Sequence, residues 1–159
     1  MKVENYFFFL FIIFCLFGCN NKLKELEVKL YLQTKQDIDI QVFYNTSYFG
    51  NYSEKNSKTI MAKEEFSSVH FLFKTDKPPR RLRIDFNTDE EITLEVDSLK
   101  ITYNAIEYQV QPDMMKDFFL FNPQVEADFI NNKMILKTVK DNNLYDPFFI
   151  TKNLSKYLY

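Results

Sequence analysis

Glycine is almost missing from this 159-residue chain: Gly18 and Gly50 are the only two. A glycine-rich loop that cradles phosphate is therefore excluded. Tight turns must come from Asn and Asp, which tolerate left-handed backbone best after glycine. Asn does stand at the expected breaks, at Asn45, Asn51, Asn56, Asn87, Asn104, Asn131, Asn132, Asn142 and Asn143. Cysteine is equally scarce. Cys15 and Cys19 are the only two, so the chain after Cys19 has no thiol for a disulfide, a zinc cluster or a nucleophile. His70 is the single histidine, and any Ser-His-Asp triad would have to use it. It falls out of phase with Val69, Phe71 and Phe73, as an outward histidine on a sheet does. An excess of one charge is also missing, with 20 basic against 22 acidic residues. Near-neutrality argues against a nucleic-acid partner, which wants a basic face.

The acidic residues form no obvious site. Glu64-Glu65 and Glu90-Glu91 are adjacent and point to opposite faces of a strand, so neither makes a glycosidase pair by itself. Asp37 and Asp39 share a face, but calcium takes about six to eight oxygen ligands and no such loop is visible. No cofactor, metal or enzymatic activity is expected.

What is present begins at the N-terminus. A short polar stretch with Lys2 precedes an unbroken apolar run over residues 6–17. That length suits the core of a signal peptide and falls short of the ~20 residues of a spanning helix. Leu16-Phe17-Gly18-Cys19 follows and resembles the lipobox of bacterial lipoproteins. The chemistry needs these types: a thiolate to take the diacylglyceryl group, and a small residue before it to let the peptidase approach. Residues 1–18 are thus read as a signal peptide and Cys19 as the lipidated first residue. An uncleaved short anchor is the alternative. Residues 19–25 form a polar tether. The expected location is the cell envelope, on the inner or outer membrane, facing the periplasm or the surface.

About 140 residues remain, enough for one domain with a real core. Period-two alternation runs through them. Residues 26–34 put Leu26, Val28, Leu30 and Leu32 on one face. Residues 37–44 put Ile38, Ile40, Val42 and Tyr44 inward, which leaves Phe43 outward. Residues 45–57 read as a long polar-aromatic loop and 58–61 as a short edge strand. Residues 66–74 alternate through Val69, Phe71 and Phe73. After Pro78-Pro79, residues 80–86 place Leu82, Ile84 and Phe86 inward, with Arg81, Arg83 and Asp85 outward. The alternation through Ile92, Leu94 and Val96 slips at Asp97-Ser98 and resumes at Leu99, which predicts a bulge or bend. Asn104-Ala105 and Asn131-Asn132 read as hairpin tips. Only residues 112–120 have helical character. Residues 146–150 begin an extended tail. Eight or nine short strands at roughly ten-residue spacing predict an antiparallel all-β sandwich or barrel over residues 26–150, with a C-terminal tail at 151–159.

Several segments carry a resemblance. Gln41-Val42-Phe43-Tyr44, Tyr52-Ser53-Glu54-Lys55-Asn56-Ser57, Leu82-Arg83-Ile84-Asp85-Phe86 and Tyr145-Asp146-Pro147-Phe148 are similar to the jelly-roll-type β-sandwich domain found outside the cytoplasmic membrane of many Gram-negative bacteria. That domain occurs as a stand-alone lipoprotein and fused to membrane proteins linked to envelope polysaccharide. The similarity spans about residues 26–150. Where the family pattern often has glycine after the Leu-Arg-Ile-Asp strand, this chain has Asn87-Thr88. The resemblance implies an adhesive or carbohydrate-binding-like sandwich.

Candidate ligand contacts follow from the residues. Tyr48, Phe49 and Tyr52 among Asn and Ser, beside an outward Phe43, suit sugar stacking, since a pyranose offers an apolar C–H face and a ring of hydroxyls. Plugging the end of the sandwich is the plainer alternative for these rings. Arg81 and Arg83 suit an anionic sugar, or else a solvated face with cross-strand charge pairs. Asp97-Ser98-Leu99 resembles the short O-glycosylation motif of some Gram-negative lipoproteins, with Ser98 as acceptor. Three functions compete: a lipid-anchored module that binds glycan, a structural accessory that docks on another envelope protein, and, most weakly, an enzyme.

Overall fold

The two-residue period becomes strands wherever it is clean. β1 (Lys24–Thr34) buries Leu26, Val28, Leu30 and Leu32 completely and turns Glu27, Lys29 and Gln33 away from the core. β2 (Ile38–Asn45), β3 (Ser57–Ala62), β4 (Glu65–Thr75), β5 (Arg81–Asn87) and β6 (Thr93–Tyr103) follow. Then come β7 (Ile106–Val110), α1 (Pro112–Phe118), β8 (Phe119–Phe121), β9 (Val125–Ile130), β10 (Lys133–Thr138), β11 (Phe148–Thr151) and α2 (Ser155–Leu158). The structure is a computed structural model and describes residues 23–140 and 145–158. The segment that resembles a lipobox, with Cys19, lies outside the described residues.

All pairings are antiparallel and form two sheets. The first runs β4-β1-β6-β10-β9, with β7 also on β6; the second runs β3-β2-β5-β11-β8. One apolar cluster joins their inner faces, including Leu30 and Ile101 from the first and Ile40, Ile84 and Phe149 from the second. Each fully buried side chain of this kind contributes roughly 1.5–3 kcal/mol. The protein is therefore an all-β antiparallel sandwich, and the chain changes sheet between β1 and β2, β3 and β4, β4 and β5, β5 and β6, β7 and β8, β8 and β9, and β10 and β11.

The slip at Asp97-Ser98 is a bulge. Tyr31 pairs Ser98 while the next residue, Leu32, pairs Val96, so Asp97 is extra and β6 continues unbroken. Both hairpin tips are left-handed on two successive residues, Asn104-Ala105 and Asn131-Asn132, as a two-residue primed turn requires. Asn thus fills the role that glycine fills elsewhere. β3 is an edge strand, as its short length predicts.

Three differences from the expected layout have physical causes. β1 starts at Lys24, two residues earlier, because Lys24 and Glu25 still pair with Thr75 and Lys74. The helical segment ends at Phe118, and β8 then joins the second sheet through Phe119–Phe121. Three residues are too few for periodicity to reveal. The residues after 150 do not trail away. Thr151 pairs Phe119, and Leu154 and Leu158 are buried in the common core. Apolar residues three and four apart near a chain end are a weak signal beside a strand pattern.

The register also sorts the loops into two ends. Lys24 lies beside Thr75, Leu26 beside Tyr103, Asn45 beside Arg81 and Phe43 beside Ser57. The segments 46–56, 76–80, 104–105 and 152–158 therefore cluster at the end where β1 begins. The segments 35–37, 63–64, 88–92, 139–140 and 145–147 cluster at the opposite end.

Candidate functional site

Four of the candidate residues meet on the outer face of the second sheet. Phe43 on β2 is the direct partner of Arg83 on β5, and Asn45 is that of Arg81. Arg83 forks onto Asp85, with Nε 2.7 Å from Oδ1 and Nη2 2.7 Å from Oδ2. The same Nη2 donates to Asp146 Oδ2 at 2.9 Å. The guanidinium plane lies over the Phe148 ring, 3.8 Å from its centroid, and 5.7 Å from that of Phe43. Tyr52 closes the cluster edge-on to Phe43 at 6.2 Å.

Phe43 is thus on the predicted face, but its expected exposure is corrected: only 7% of its surface is open. Tyr52 folds over it from the following loop, and Arg83 covers its other side. Alternation reports which way a side chain points; it does not report what a loop lays on top. The charges here are already matched to one another. Burial pushes the Asp85 carboxyl up to about 6 against the pull of Arg83, and the carboxylates of Asp146 and Glu54 push the same way. Burial likewise raises the Tyr52 hydroxyl. This cluster cements the sheet face.

Tyr48 and Phe49 lie apart, at the end where β1 begins. The loop that carries them is wound around Asn45, whose Oδ1 accepts from Ser47 N at 2.7 Å and whose Nδ2 donates to the Gly50 carbonyl. A Cβ on Gly50 would stand 3.1 Å from Asn45 Nδ2 and from Ser47 Cβ, closer than side chains ordinarily approach, so glycine suits this tight winding. Arg80 stacks over the Tyr48 ring at 4.1 Å, and Asn153 Nδ2 donates to its hydroxyl at 3.0 Å. Phe49 is 97% exposed. The aromatic loop residues therefore divide, with Tyr52 over the sheet and Tyr48 and Phe49 at its end. Ser98 sits at the bulge in mid-strand, with only 7% of its surface open in the folded domain.

A second surface, not anticipated from the residues, lies on the outer face of the first sheet. Phe66 pairs Gln33, Gln33 pairs Glu95, and Glu95 pairs Ile135, which makes one straight row across four strands. With Lys35, Glu65 and Thr93 it lines an open trough of about 530 Å³. Phe66 is 57% exposed there. Lys133 reaches in from β10 to Glu95 Oε2 at 2.5 Å. A signal for it existed in the sequence: Phe66 falls in phase with Ser68 and His70 and out of phase with Val69, which marks an apolar residue on an outward position.

The rest of that face is a ladder of charge pairs. Glu27 Oε1 meets Lys29 Nζ at 2.8 Å and His70 Nε2 at 2.5 Å, and Lys100 Nζ meets Glu107 Oε2 at 2.6 Å. His70 is outward, as its phase predicts. Among the described residues, no group of three or more His, Cys, Asp or Glu is arranged to hold a metal ion, and no helix is long and apolar enough to cross a membrane. In comparisons with known proteins, no family model and no curated protein matches this sequence.

Proposed function

We propose that this chain is a lipid-anchored, non-catalytic protein of the bacterial cell envelope whose sandwich binds glycan in the Phe66 trough. The observation that carries the binding reading is the row Phe66–Gln33–Glu95–Ile135. An exposed aromatic ring offers a stacking surface for the C–H face of a pyranose. The Gln33 amide both donates and accepts, the Thr93 hydroxyl does the same, and the Glu95 carboxylate accepts from paired sugar hydroxyls. Open apolar surface with a few convergent polar groups is what such a ligand needs.

The anchor half rests on Leu16-Phe17-Gly18-Cys19 and on the apolar run before it. The resemblance to extracytoplasmic sandwich domains linked to envelope polysaccharide agrees with both halves. Metabolic labelling with palmitate tests the anchor: label in the full chain and its loss in Cys19→Ala are expected, and label retained in Cys19→Ala contradicts the reading. A glycan array probed with the chain lacking residues 1–18 tests the ligand. Silence on the array, with envelope proteins retained in its place, favours the accessory function; Ile130, 52% exposed on the edge strand β9, is the surface for that reading.

A further inference from the structure

The two ends of the sandwich differ in charge and in exposed apolar surface. At the end where β1 begins, the segments 46–56, 76–80, 104–105 and 152–158 carry five cations, Lys55, Lys77, Arg80, Lys152 and Lys156, against two carboxylates, Glu54 and Asp76. Among the described residues of the opposite end, the loops carry three cations against six carboxylates. The basic end also displays Phe49 at 97% exposure, Leu23 at 63%, Tyr48 at 47% and Ile106 at 44%. Cations around protruding aromatic and aliphatic side chains are the composition of a surface that seats in a lipid interface. Fixed aromatics favour the headgroup level, and Lys and Arg are drawn to anionic headgroups.

We infer that this basic end lies against an anionic phospholipid bilayer, with Phe49 and Tyr48 seated at headgroup depth. The inference deepens the proposed function and rests on its reading of Cys19 as the lipid-bearing residue. Only four residues separate Cys19 from the start of β1 at Lys24. Fully extended, that stretch reaches roughly 17 Å. The 11-residue strands β1, β4 and β6 run roughly 36 Å. The tether is therefore too short to carry the acidic end down to the bilayer, and it holds the basic end next to it. The Phe66 trough, lined by residues where β1 ends and β4 and β6 begin, is then turned outward. Lipid anchor and ligand site occupy opposite ends.

The chain has no tryptophan, so a single introduced one reports alone. Phe49→Trp and Phe66→Trp each replace an exposed ring, so neither disturbs the core. Each full chain is taken from bacterial membranes, the mass of its Cys19 peptide is read, and the protein is reconstituted in vesicles of phosphatidylcholine and phosphatidylglycerol containing brominated lipid. In Phe49→Trp the expected result is loss of indole emission with a blue shift, weaker in phosphatidylcholine alone or at high salt. In Phe66→Trp no loss is expected. Equal quenching of the two variants, or none in Phe49→Trp when its Cys19 peptide carries lipid, overturns the inference. An unlipidated Cys19 peptide contradicts the anchor reading. The docking is then decided by adding that unlipidated Phe49→Trp protein to the anionic vesicles, where quenching of its indole sustains the inference and unchanged emission overturns it.

Discussion

Phe43 and Arg83 face each other across the β2–β5 ladder, and the guanidinium of one covers the ring of the other while both Asp85 and Asp146 hold it in place. An outer-face aromatic is thereby made part of a second, small core. Ile84, the next residue on β5, points the other way and is completely buried between the sheets. Ile84→Ala is expected to cost roughly 2–5 kcal/mol, as for truncation in a full core. Phe43→Ala is expected to cost about 2–3 kcal/mol, well above a surface change of about 0.5 kcal/mol. Denaturant melts of the two variants check this, and a loss near the surface value for Phe43→Ala contradicts the covered position.

Asp85 gives a pH signature. Its carboxyl is raised to about 6 in the folded chain, above the ordinary 3.8, because burial disfavours its charge. The folded state then binds more protons than the unfolded state between those values, so this group's contribution is full below about pH 4 and is lost as pH rises through about 6. The carboxyl resonance of Asp85 is expected to titrate near pH 6. In Asp85→Asn that part of the stability profile disappears, so the variant loses less stability than the parent as pH rises from about 4 to about 7. A midpoint below about 4 contradicts the account.

The C-terminal residues belong to the domain. Leu154 and Leu158 are buried, Tyr157 stacks on Tyr108 at 4.2 Å, and Leu154 N donates to the Arg80 carbonyl at 2.8 Å. Ending the chain at Thr151 is expected to cost on the order of 3–6 kcal/mol, from two buried leucines at roughly 1.5–3 kcal/mol each. Urea unfolding measures it; an unchanged midpoint shows the segment to be dispensable.

Much of this architecture was legible because alternation is enforced by burial on one face. The phase slip at Asp97-Ser98 reported a real bulge, and Asn131-Asn132 a real primed turn, from local chemistry alone. The site was less legible. Phe43, Arg83 and Asp85 are correctly turned outward, but what covers them comes from Tyr52 in the loop after β2, where no periodicity fixes a direction, and from Asp146 and Phe148, distant in sequence. The Phe66 row depends on the register of four strands, which no single strand encodes. Leu154 and Leu158 gave too short a pattern to stand out from a polar tail.

The central claim is that a membrane-tethered sandwich holds glycan on its outward trough. Its most direct test is binding of envelope glycans to the chain lacking residues 1–18, compared with Phe66→Ala and Phe49→Ala. The account predicts retained glycan for the parent and for Phe49→Ala, and about a tenfold loss for Phe66→Ala, equivalent to ~1.4 kcal/mol of lost stacking. No retained glycan, or retention that survives Phe66→Ala and fails in Phe49→Ala, contradicts it.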